Sequence, residues 1–139
     1  MENTGIQALS FLIGTWQTSG TVTGENITIK GTDSYQWVLG NIFILHTADV
    51  MMGDNHTEVI ELIGYDEDEK QYFFRSFDNA GSFTTMPGEL KEGGNLVVTG
   101  GNIRSTLKVI EPGKQMAAFW ERKDGGNNWQ PWMDMKFNK

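Results

Sequence analysis

The chain has 139 residues, enough for one domain with a real hydrophobic core, and apolar residues make up 38% of it and aromatics 12%. The net charge of −7, with Lys and Arg scattered rather than clustered, argues against a nucleic-acid partner, because there is no basic surplus to release counterions. The absence of Cys excludes a disulfide scaffold, thiolate metal sites and a cysteine nucleophile.

Met1 to Thr4 is polar and is expected to form a loose lead. Ile6 to Ile13 places Ile6, Leu9, Leu12 and Ile13 at helix-like spacing. A short helix capping one end of the molecule is expected, with an irregular lead-in as the alternative. From Gly14 the period changes to two. Trp16, Thr18, Gly20 and Val22 alternate with their neighbours and predict a strand to about Gly24. A second strand runs from Asn26 to Val38, with Gly31 as a bulge or bend. Further strands are predicted over Ile42–Met52, His56–Tyr65, Lys70–Phe77, Ser82–Lys91, Leu96–Thr99, Ile103–Ile110, Gln115–Arg122 and Trp129–Phe137. Pro87-Gly88 inside the sixth of these runs predicts an edge or a bulge.

Turns rich in Gly, Asn and Asp fall near residues 40, 54, 67, 80, 93, 101, 112 and 125. The intervals leave room for a strand each and for no crossover helix, so neighbouring strands must be antiparallel. About ten sequential strands end in two exposed edges unless the sheet closes. The expected fold is all-β, a single domain over residues 1–139 forming a closed antiparallel up-and-down β-barrel. A sandwich is the alternative. No stretch approaches the ~18 apolar residues of a membrane span, and Met1 to Trp16 lacks the basic and apolar regions of a secretory leader. The expected location is cytoplasmic.

Gly14-Thr15-Trp16, opening the first strand after a short helical lead, resembles the Gly-x-Trp start of lipocalins and fatty-acid-binding proteins. Tyr35 to Phe43, Met51-Met52-Gly53, Ile63 to Asp66, Lys70-Gln71-Tyr72, Asp124 to Trp129 and Met133 to Asn138 are similar to a largely bacterial, lipocalin-like family of unknown function within the calycin superfamily. The resemblance implies a barrel in which Gly14 and Trp16 plug one end. It also implies a basic side chain packed over the Trp ring, for which Lys136 is the first candidate and Arg122 the second. It implies no established activity. A sister group binds haem through a His near its last strands; here His46 and His56 lie elsewhere, which argues against haem. No cofactor is expected.

His46 stands in an apolar run and faces inward if Ile42, Ile44, Ala48 and Val50 do. It would then orient a ligand or act as acid or base; a hydrogen-bonded core histidine is the bland alternative. A metal pair of His46 and His56 with Asp54 is disfavoured by their separation along the strands, so no metal site is expected. Arg75, among Tyr72, Phe73, Phe74 and Phe77, is a carboxylate anchor if it faces in and an ordinary surface residue if it faces out. Tyr35, Trp37, His46, Arg75, Phe77, Met116 and Trp120 are the candidate cavity residues. They point first to a module binding a small hydrophobic molecule, a carboxylate if Arg75 faces inward. The alternatives are an isomerase, cyclase or hydratase using His46, and a structural barrel filled by its own aromatics. No nucleic-acid or membrane partner is expected, and the oligomeric state is open, a homodimer included.

Overall fold

Alternation of buried and exposed side chains organises the whole chain. In the computed structural model, which describes residues 5–139, a 3-10 helix over Ile6–Leu12 is followed by ten strands. They are β1 (Gly14–Val22), β2 (Ile27–Val38), β3 (Phe43–Met52), β4 (Asn55–Asp66), β5 (Gln71–Asp78), β6 (Phe83–Leu90), β7 (Leu96–Gly100), β8 (Ile103–Glu111), β9 (Gln115–Lys123) and β10 (Trp129–Asn138). The expected lead over Met1 to Thr4 lies outside the described residues. Each strand pairs antiparallel with its chain neighbours, and β1 pairs with β10, so the barrel is closed.

The edge expected at Pro87 is a local one within the closed barrel. Pro87 pairs with Phe73 in continuous register, while β7 begins to pair with β6 only at Gly88. The proline therefore sits where no β7 carbonyl needs its missing N–H. Register shifts fall instead at Pro131/Met133 in β10 and Val109/Glu111 in β8. Gly31 pairs with Val50 without a shift, and a side-chain carbon there would lie 2.1 Å from the Asp49 carbonyl oxygen. It is a close-approach glycine rather than a bulge.

The end of the barrel under the 3-10 helix is closed by buried side chains. Trp16 is completely buried against Leu9 and Leu12, and its Nε1 donates to the Leu12 carbonyl at 2.8 Å. The Tyr72 hydroxyl donates to the Gly5 carbonyl at 2.8 Å and ties down the start of the helix. The cation over the Trp16 ring is Lys139, with Nζ 4.5 Å from the ring centroid and donating to the Ile13 carbonyl at 2.8 Å. Neither expected candidate holds this place. Met133 and Phe137 of β10 are buried, which turns Lys136 to the outer face, and Arg122 lies over Trp132 at 5.2 Å. Gly14 has φ 131°, and a Cβ there would sit 2.5 Å from Lys139 Cε, so the glycine makes room for the lysine stem. At the opposite end a second cluster of Val22, Ile29, Val50 and Met133, with Trp132 packed on it, fills the side between β1, β2, β3 and β10.

Truncating the fully buried ring in Trp16→Ala is expected to cost about 3–5 kcal/mol in a urea unfolding titration. Lys139→Ala is expected to cost more than Lys136→Ala, and the reverse order would contradict the placement of the cation.

Candidate functional site

Three adjacent strands bring a set of ionisable groups to the inner wall. Ile44 and Ile63 are completely buried, and period two carries the inward face from them to His46 on β3 and Glu61 on β4. Tyr35, His46 and Glu61 are direct cross-strand partners, and Asp33 stands one inward step along β2 from Tyr35. His46 Nε2 lies 2.6 Å from Asp33 Oδ2, and Nδ1 lies 2.9 Å from Glu61 Oε1. The Tyr35 ring stacks on the imidazole, with centroids 4.1 Å apart and planes within 10°. Thr18 on β1 donates its hydroxyl to Asp33 Oδ1, so both oxygens of that carboxylate are engaged.

Burial alone would push the His46 imidazole below its usual value. The hydrogen bonds to Asp33 and Glu61, and the charges of the two acids, outweigh it and raise the pKa to about 9. At neutral pH the ring is an imidazolium donating from both nitrogens. Burial, followed by the charges of Asp33 and Glu61, raises the Tyr35 hydroxyl well above the usual range, so it stays protonated.

This polar wall faces a cavity of about 120 Å³. Asp33, Tyr35, His46 and Glu61 line one side, and Phe74, Met86, Leu107, Trp120 and Met135 are among the apolar residues on the others. Of the sequence candidates, Tyr35, His46 and Trp120 come together here. Met116 is buried next to Trp16, where it lines a separate recess beneath the 3-10 helix. Trp37 packs on the core without reaching the cavity wall. Arg75 and Phe77 face outward. Tyr72 and Phe74 take the inner positions of β5, which leaves Arg75 donating Nε to Thr85 Oγ1 at 3.1 Å and Phe77, 49% exposed, stacked on Phe83. A carboxylate anchor at Arg75 is thereby ruled out.

His56 is on the outer face of β4, so it does not approach His46 or join Asp54. It lies 2.7 Å from Asp49 and 3.6 Å from Glu58, and the hydrogen bond to Asp49 raises its pKa. The ligand atoms of Asp49, His56 and Glu58 lie within 4.8 Å of one another, and all three residues are exposed.

The family profile described as "Protein of unknown function (DUF1579)" matches residues 5–139. The chain belongs to the DUF1579 family. No curated protein matches this DUF1579 chain. Among solved structures it is similar to Rv2717c from M. tuberculosis, with a TM-score of 0.66 at 9% identity, covering 96% of each chain. It is also similar to a de novo designed fluorescence-activating β-barrel, with a TM-score of 0.54 at 16% identity, covering 95% of this chain and 96% of that one. At such identities the likeness extends to the fold alone.

Asp33 and Glu61 are the site residues that reading the sequence missed. The available signal was an acid on the apolar face of its strand. Asp33 shares period two with Ile29 and Tyr35, and Glu61 with Ile63 and Tyr65. Reflecting the chain midway between Gly40 and Asn41, and midway between Gly53 and Asp54, sets Tyr35, His46 and Glu61 side by side.

The raised His46 pKa has a stability consequence. An imidazole at about 6.5 when unfolded and about 9 when folded contributes stability that is complete below the lower value and lost as pH rises through the upper. Between pH ~6.5 and ~9.5 the wild type should lose on the order of 3 kcal/mol more unfolding free energy than His46→Gln. Equal losses in urea titrations at the two pH values would contradict the ion triad.

Proposed function

We propose that this protein binds a small, mainly apolar molecule of about one ring in its interior, oriented by the polar wall of Asp33, His46 and Glu61. One observation carries the reading: a hydrogen-bonded ionic set of Asp33, His46 and Glu61 faces a mainly apolar cavity. Hydrogen-bonded ions on the wall of an apolar cavity give direction and specificity to a ligand held by apolar contact. The size also matters. The cavity of about 120 Å³ is comparable to the apolar cavity of about 150 Å³ that takes benzene. It suits a single ring rather than a long acyl chain or a haem, and His46 has no free ring nitrogen for an iron. Space of this size also disfavours a barrel filled by its own aromatics.

A kinship with lipocalins and the wider calycin superfamily is part of this proposal. It is supported by Gly14-Thr15-Trp16 and the lysine over the Trp ring. A cytoplasmic place of action fits the lack, among the described residues, of any helix long and apolar enough to cross a membrane. That criterion does not address strands.

A second reading, an isomerase, cyclase or hydratase on the same barrel, is favoured by a carboxylate on the wall of an apolar cavity. It moves the base role from His46 to Glu61. Both His46 nitrogens are committed to carboxylates, and an imidazolium cannot accept a proton.

Benzyl alcohol is a suitable neutral probe. Its addition should shift the methyl resonances of Met86 and Met135 saturably, with a Kd at or below about 1 mM, and leave the outward Met51 unmoved. Ala118→Leu, which adds volume at the cavity wall, should abolish the shifts while the barrel still folds. Shifts that survive Ala118→Leu unchanged would place the ligand elsewhere.

A further inference from the structure

The chemistry of the ligand follows from what the polar wall lacks, taking as given that the cavity is a binding site. Among the described residues, no Lys or Arg lines the cavity. Its charged groups are two acids and one histidine. An imidazolium between two carboxylates leaves a formal charge of −1 facing an apolar space. Unbalanced charge in such a setting is costly, and a positive partner relieves it.

The hydrogen-bond inventory points the same way. Asp33 receives Thr18 on one oxygen and His46 on the other. Both N–H groups of the His46 imidazolium are given to carboxylates. Glu61 receives His46 on Oε1 alone, and among the described residues its Oε2 accepts no hydrogen bond. The set therefore has one acceptor to spare and no spare charged donor. A carboxylate ligand would meet repulsion here, and Arg75, the side chain that could have received it, is bound to Thr85 on the outer face.

We propose that the ligand is a small aromatic or branched aliphatic amine, whose cationic N–H group docks on Glu61 Oε2 while its apolar body lies against Phe74, Leu107 and Trp120. An ammonium there forms a charge-assisted hydrogen bond and brings the wall to neutrality. The apolar walls then select a body of about one ring.

Three probes of matched size separate this proposal from the reading it rests on: benzylamine, benzyl alcohol and benzoate. Each is titrated while the Met86 and Met135 methyl resonances are followed, with Met51 as the outer control. In the wild type, benzylamine should bind at least about tenfold tighter than benzyl alcohol, and benzoate should be the weakest. Glu61→Gln should remove the preference for the amine over the alcohol, and a cooperative urea unfolding transition shows that the variant folds. Glu61→Asp, which keeps the charge, should retain part of the preference. Equal binding of amine and alcohol to the wild type, or an amine preference that persists in Glu61→Gln, would overturn the amine proposal and leave the cavity reading standing. No response to any of the three probes would overturn both.

Discussion

Closing ten short strands on themselves sends every second side chain into one shared interior, and most of this structure follows from that constraint. A polar residue at an inward position cannot turn to bulk water and must find its partners across the strands. Asp33, His46 and Glu61 meet this demand together. Antiparallel register sets His46 opposite Glu61, Asp33 reaches it from one step along β2, and Thr18 completes Asp33 from β1. The energetic balance of such a set depends on its completeness. Removing one ion of a buried pair typically costs about 3–5 kcal/mol, because the remaining charge is left unpaired.

The capped end and the middle of the barrel do different work. Under the 3-10 helix, Trp16, Leu9, Leu12 and Met116 are packed almost without exposure, and Lys139 folds back over the indole. This end is structural. Toward the middle, apolar packing gives way to a cavity in which the apolar walls supply affinity and the ionic wall supplies direction. The thin β6–β7 seam, with three paired positions, borders this space through Met86 and Val98. Met86 also covers Gly100, where an added Cβ would come within 2.4 Å of its Cγ. Flexible thioether packing suits a place where backbone pairing is sparse.

The architecture was legible in the sequence because it rests on local signals. Period-two alternation and evenly spaced Gly-Asn-Asp turns mark ten strands, and the change of period at Gly14 marks where the helix ends. Features that depend on three-dimensional neighbours were less accessible. Lys136 and Lys139 look equivalent in sequence, and only the inward placement of Phe137 turns Lys136 outward and leaves Lys139 free to curl over Trp16. Arg75 lies in a run aromatic on both faces, so alternation could not choose its direction until Tyr72 and Phe74 proved to be the inner pair. The acid pair around His46 comes from two different strands, and its members are 28 residues apart in the chain. Spacing along one strand could not reveal it. The polar residues of the cavity had to be read through register.

His46 is an interior imidazolium held by two carboxylates. Nitrogen-15 NMR of the histidine side chains tests this most directly. Both His46 ring nitrogens should remain protonated through neutral pH and titrate with a midpoint at about 9. A His46 that loses its proton near the ordinary value of about 6.5 would contradict the account.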